Sequence, residues 1–149
     1  MRGFGQCEEV VCHPRIVREE KSRKFTINNP DRIPVRVVKI DGCVITKGRR
    51  CDYLFIPESG EIEIYVELKG SGILDAIKQI ETTIPQVSQD QRKLSKHCYI
   101  VTKGVHPSLA TKRQKAMVRF RNEFNAALTV REKVATHSLA ASPKRKRSR

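Results

Sequence analysis

Residues 61–69 constrain the fold more than any other segment. Ile62, Ile64, Val66 and Leu68 alternate with Glu61, Glu63, Tyr65, Glu67 and Lys69. Period-two alternation puts the apolar set on one face of a strand and the polar set on the other. Such a strand needs partners at its edges and a cover on its apolar face, so the chain must build a sheet around it. Upstream, residues 35–46 are rich in β-branched side chains and Lys47-Gly48 marks a turn. Residues 49–56 read as a returning strand, and Pro57-Glu58-Ser59-Gly60 as a second turn. The three segments predict an antiparallel meander.

Downstream, Gly70-Ser71-Gly72 ends the strand. Ile73, Ile77, Ile80 and Ile84 then recur at i, i+4, i+7 and i+11. That is the stripe of a helix over residues 73–84, which Pro85 should stop. Residues 88–96 hold a short helix or a loop, and residues 98–102 a buried strand. Pro107-Ser108 opens a second helix running to about residue 125, with Met117, Phe120, Phe124 and Ala110 as its apolar side. Residues 128–134 are ambiguous, with a last strand as one reading. Residues 1–33 are hard to read: Val10-Val11-Cys12 and Ile16-Val17 each fit a short strand or part of a helix, and Asn28-Asn29-Pro30-Asp31 is a turn signal. The order β-β-β-α-β-α predicts an α/β (α+β) fold: a mixed sheet with the meander, a crossover helix, a further strand and flanking helices. One domain spans residues 1–137, and residues 138–149 read as a disordered basic tail.

The charge is one-sided. Of 149 residues, 30 are Lys or Arg and 16 are Asp or Glu, a net charge of +14. Residues 1–90 carry 14 basic and 14 acidic side chains. Residues 91–149 carry 16 basic and two acidic ones, Glu123 and Glu132. This predicts a polyanionic partner, nucleic acid, with DNA ahead of RNA. Lys112, Lys115 and Arg119 share one helix face, and Arg113 lies beside them. Together with Lys144, Arg145, Lys146 and Arg147 of the tail they are the candidate phosphate contacts. A solvated helix face is the plainer reading of the stripe, but its charge lacks the paired acids that would relieve repulsion. No apolar run approaches the roughly 20 residues of a membrane span, and the N-terminus lacks a signal-peptide core. The expected location is intracellular: cytoplasm or nucleoid, or the nucleus in a eukaryotic host. Five cysteines fit free thiols better than a disulfide framework. Zinc held by Cys7, Cys12, Cys43 or Cys51 is a further reading. His97 and His106 read as surface or loop residues.

Asp52 stands inside an otherwise apolar segment, Cys51-Asp52-Tyr53-Leu54-Phe55-Ile56. A carboxylate there needs a partner or a cation. With a four-residue second turn, Asp52 faces Tyr65 and becomes a neighbour of Glu67 and Lys69. With a two-residue first turn, Cys43 faces Asp52 and Asp41 joins the same face. Carboxylates at strand ends beside a lysine make a site for Mg²⁺ or Mn²⁺. The plainer readings are a solvated face for Glu67 and Lys69, a backbone-bonded hairpin residue for Asp52 and a turn residue for Asp41.

Asp52, followed on the next strand by Glu67-Leu68-Lys69 and then by a helix, resembles the PD-(D/E)xK nuclease superfamily. The resemblance covers residues 35–102. It implies a restriction-endonuclease-like fold and Mg²⁺-dependent phosphodiester hydrolysis. It implies Asp52, Glu67 and the Leu68 carbonyl as metal ligands, Lys69 as the catalytic lysine and Gln79 as a further active-site residue. Gln79 on the solvent face of its helix is the competing reading. Cys51 stands in place of the motif's Pro, and Thr83 in place of a Tyr found in one branch. A helical glutamate that often precedes the first strand has Glu19 or Glu20 as its counterpart. A homodimer would supply two sites for cutting both strands. The alternative function is non-catalytic nucleic-acid binding on a degenerate form of the fold.

Overall fold

The strand expected over residues 61–69 is central to a six-stranded mixed sheet. The computed structural model describes residues 3–69 and 72–139. In chain order these form β1 (Glu8–Val11), β2 (Arg15–Glu20), β3 (Arg23–Asn28), β4 (Val35–Lys39), β5 (Tyr53–Pro57) and β6 (Ile62–Lys69). Helix α1 (Ile73–Val87), β7 (Ser95–Thr102), α2 (Ala110–Phe124), β8 (Ala126–Glu132) and β9 (Val134–Ser138) follow. The large sheet has the order β1-β4-β5-β6-β7-β8, and β2-β3-β9 form a second sheet. The β4-β5-β6 meander is antiparallel, whereas β6, β7 and β8 run parallel through the α1 and α2 crossovers. The fold is mixed α+β.

Both faces of β6 are covered. Ile64, Val66 and Leu68, with Val35, Val37 and Phe55, pack on Ile16, Phe25, Ile27 and Ala135 of the small sheet. Tyr65, with Leu54, Ile56, Cys98, Ile100 and Leu128, packs under Ile73, Ile77, Ile80 and Ile84 of α1 and Ala116, Phe120 and Phe124 of α2. The alternation therefore assigned the two faces correctly, but Glu63 and Glu67 of the charged face are buried, at 0% and 3% exposed.

Several expectations are corrected. The first strand ends at Lys39 and the second starts at Tyr53, so Asp52 precedes its strand. In the first hairpin Lys39 pairs with Tyr53, which excludes a two-residue turn. Residues 40–45 instead close on themselves: Gly42, at φ +79°, donates to the Ile45 carbonyl, and Cys43 to that of Ile40. In the second hairpin Tyr53 pairs with Val66. That differs from the expected register by two residues, an even shift that keeps every side chain on its face.

Pro85 lies inside α1, which runs on to Val87. Proline removes the one donor that would reach the Glu81 carbonyl, but the helix continues past it: the Ser88 amide reaches the Ile84 carbonyl at 3.0 Å, and Val87 is buried. The second helix matches its prediction, with Asn125 ending it at φ 55°, but Ala110 is exposed. Order extends past residue 137: Ser138 pairs with Asn28, and Leu139 packs in the second core. Cys7 and Cys43 form a disulfide, with Cα atoms 5.7 Å apart. The expectation of free thiols thus holds for Cys12, Cys51 and Cys98 alone. Disulfide sulfurs are not thiolate ligands, so zinc on Cys7 and Cys43 is excluded in this state. His97 is no surface residue: its ring lies half-buried in β7, 4.8 Å from that of His137. Among the described residues no helix is long and apolar enough to cross a membrane.

Candidate active site

Where β5 begins, the chain leaves the sheet ladder, and side chains take over its hydrogen bonds. The Asp52 amide donates to the Val66 carbonyl at 3.1 Å. Val66 is also the register partner of Tyr53, so two residues oppose one, as in a β-bulge. The bulge turns the Asp52 carboxylate onto β6, where Oδ2 accepts from the Leu68 amide at 2.7 Å. One residue earlier, the Cys51 amide donates to Thr83 Oγ1 at 2.9 Å, and that hydroxyl donates to the Gln79 carbonyl at 2.7 Å. Thr83 therefore fastens α1 to the segment that carries Asp52. The backbone-bonded reading of Asp52 is correct as far as Leu68.

Residues from four segments meet in one polar cleft of about 240 Å³. Its walls are Glu20 of β2; Asp41, Arg50 and Asp52 of the β4–β5 connection; Glu67 and Leu68 of β6; and Gln79 of α1. Asp41, Asp52, Glu67, Leu68 and Gln79 were all expected at the site. Lys69 ends β6 opposite Thr102; its side chain lies outside the described part of the structure. Gln79 does not face solvent: its Oε1 is buried, with no hydrogen-bond partner among the described residues. Asp41 takes part through its ion pair with Arg50, Nε to Oδ1 at 2.7 Å. Glu20 arrives from a strand, not a helix, and the alternation Ile16, Arg18, Glu20 is the signal that sets it apart from Glu19. Arg50 was missed; the basic run Lys47-Gly48-Arg49-Arg50 beside Asp52 was its trace in the sequence.

The electrostatics of the cleft are negative. Burial pushes the Cys51 thiol well above its ordinary range, and the Glu67 charge, then the Asp52 charge, push it further against the lowering effect of Thr83. Cys51 is therefore a packing residue and not a nucleophile. Among the described residues no three His, Cys, Asp or Glu side chains converge on one point as a metal cluster. A two-carboxylate site still suits Mg²⁺, which binds through one or two carboxylates and completes its shell with water and substrate phosphate. The donors are hard oxygens, and the orphaned Gln79 Oε1 adds another. Mn²⁺ accepts the same set.

The expected basic face gathers in part. Lys112, Lys115 and Arg119 line a groove of about 310 Å³ between the helices, with Leu74, Ile77, Ala116 and Lys78, which the sequence reading had not singled out. Arg113 is not among its walls. Arg119 is not free of acids, as expected, but ion-paired with Glu81 of α1, Nη2 to Oε1 at 3.2 Å. That hydrogen bond raises its pKa further. Lys78 and Gln79 are consecutive on α1, so groove and cleft flank the same helix. Lys144, Arg145, Lys146 and Arg147 lie outside the described residues. A larger groove of about 510 Å³ beside β8 has no carboxylate in its walls.

Glu63 and Lys96, register partners on β6 and β7, are buried away from this cleft. Glu63 accepts from Tyr65 Oη, Ser88 Oγ and the Gln89 amide at 3.0, 2.7 and 2.8 Å. Lys96 Nζ donates to the Asp90, Leu94 and Phe124 carbonyls at 2.9, 2.6 and 3.0 Å. Their work is to hold the ends of α1 and α2.

Compared with models of known families, with curated proteins and with solved structures, the chain matches none.

Proposed function

We propose that this chain is a metal-dependent nuclease of the PD-(D/E)xK type that hydrolyses phosphodiester bonds in nucleic acid, DNA ahead of RNA. The observation that carries the reading is convergence: Asp41, Asp52, Glu67, Leu68 and Gln79 come from a loop, a strand and a helix to one polar cleft. Asp52 and Glu67 would hold Mg²⁺ or Mn²⁺, with the Leu68 carbonyl and Gln79 Oε1 as further oxygens. A bound ion there supplies charge stabilisation to the phosphodiester and lowers the pKa of its water. The protein supplies rigidity. The Leu68 amide fixes the Asp52 carboxylate, and burial keeps the Glu67 charge from being screened by solvent. In this reading Lys69 offsets charge developing on the phosphate. Lys78, Lys112 and Lys115 carry the backbone along α1, with salt-dependent affinity. In this reading the work is intracellular, and a homodimer would present two clefts for cutting both strands.

The test is cleavage of labelled linear, circular, single-stranded and branched DNA, and of RNA, with Mg²⁺, Mn²⁺ or EDTA. Folded Glu67→Ala and Lys69→Ala variants are the controls. Metal-dependent cutting that both variants lose supports the nuclease. One observation favours the second reading, a non-catalytic nucleic-acid-binding protein: Asp41 is already committed to Arg50 and Asp52 to an amide. Salt-sensitive binding without cutting in any metal selects it.

A further inference from the structure

We infer that Arg50 is a preset phosphate-binding residue of the cleft, holding a non-bridging oxygen of the phosphodiester. For the identity of that phosphate the inference rests on the nuclease reading. Four of the cleft's walls are carboxylates, and Arg50 is its one basic wall residue among the described residues. An acidic cleft repels a polyanion, so any nucleic-acid substrate needs a cation beside the acids.

Arg50 is built for that task. Its Nε is held by Asp41 Oδ1 at 2.7 Å, and its Nη1 by the Gly48 carbonyl. Asp41 is in turn held at the sheet, with its amide and that of Ile40 directed to the Asp52 carbonyl. The neighbouring Arg49 ties the same loop to Asp75 in the first turn of α1. A free arginine loses rotamer entropy when it binds; a pinned one has already lost it. The pins use Nε and Nη1, which do not share an edge of the guanidinium, and leave Nη2 over. Nη2 has no partner among the described residues, and the side chain is 29% exposed, within reach of an incoming phosphate. A planar guanidinium with donors to spare matches phosphate oxygens, where a lysine offers a point charge alone. Neutralising Asp41 would need the charge and not the second pin.

The test uses the full chain and two readouts. Steady-state cleavage is measured for wild type, Arg50→Lys, Arg50→Ala and, as a charge control on the exposed Lys103, Lys103→Ala. Binding of thymidine 5′-monophosphate is measured by calorimetry in EDTA, without metal. Circular dichroism checks folding, and Arg50→Lys keeps a cation opposite Asp41 should the alanine variant unfold. Arg50→Lys and Arg50→Ala should raise KM and lower kcat/KM by about ten- to a hundredfold, and weaken nucleotide binding about tenfold. Lys103→Ala should match wild type in both. Nucleotide binding lost in Arg50→Lys by a protein that cuts nothing supports the phosphate site while the nuclease reading fails. Arg50→Lys equal to wild type in both assays overturns the inference and leaves the nuclease standing. Wild type that binds no nucleotide also overturns it.

Discussion

Replacing Asp52 by Asn separates what this carboxylate does for the fold from what it does for a cation. Asn keeps an oxygen where Oδ2 accepts from the Leu68 amide at 2.7 Å. The change exchanges a charge-assisted bond for a neutral one, a loss of about 1 kcal/mol. Relief works in the other direction. Asp52 and Glu67 share the cleft, and both charges act on the Cys51 thiol beside them, so removing one carboxylate reduces repulsion. The two effects nearly cancel. Asp52→Asn should melt within about 4 °C of wild type without metal. With Mg²⁺ at about ten times its dissociation constant, wild type should gain about 1.4 kcal/mol, or roughly 4 °C, and the variant nothing. Cleavage should fall below about one thousandth of wild type. Thermal melts with and without Mg²⁺, run beside the cleavage assay, read all three. A variant that still cuts, or that still gains stability from Mg²⁺, refutes the ligand assignment. A loss of about 3 kcal/mol or more without metal refutes the balance drawn above and makes the carboxylate structural.

Other outcomes follow from single features. Lys96→Met leaves three carbonyls and the Glu63 charge without their cation, and should cost about 3 kcal/mol in chemical denaturation. Reducing the Cys7–Cys43 disulfide, whose ends are 36 residues apart, should cost about 3–4 kcal/mol in the same assay; a Cys43→Ser variant insensitive to reductant is the control. Burial, and then the neighbouring His97, lower the His137 pKa to about 4. The unfolded chain therefore takes this proton first. The stability His137 contributes is full above about pH 6.5 and is lost as pH falls toward 4, by about 1–2 kcal/mol after allowance for its partial exposure. His137→Gln should flatten that part of the stability profile; a profile equal to wild type refutes the cause. Lys112→Ala with Lys115→Ala should lower the slope of log affinity for duplex DNA against log salt by about 2, measured by fluorescence anisotropy.

The strand faces and both helices were legible in the sequence because periodicity is local. Ile62, Ile64, Val66 and Leu68 shared a face whatever lay beside them, and the Ile73–Ile84 stripe named the buried side of α1. The carboxylates of the cleft were legible for the same reason. A register error of two residues left Asp52 and Glu67 on neighbouring positions, since a strand repeats every two. The first hairpin was misread because its loop folds on itself through Gly42 and the Cys43 disulfide, neither of which is a property of a short turn. Arg50 stayed out of sight because it reaches the cleft from a loop whose position depends on other elements, and Glu20, named together with Glu19, was placed there only by the packing of its strand.

What the sequence determined alone was which residues share a face; what tertiary structure decided was what each face meets. Nothing within residues 61–69 says that Glu63 and Glu67 lie under helices and not in water. That depends on α1 and α2 crossing one face while β2, β3 and β9 close over the other. The same alternation describes a solvated strand and an active-site strand. The difference is the dielectric around the charges, which is set by packing between residues far apart in the chain.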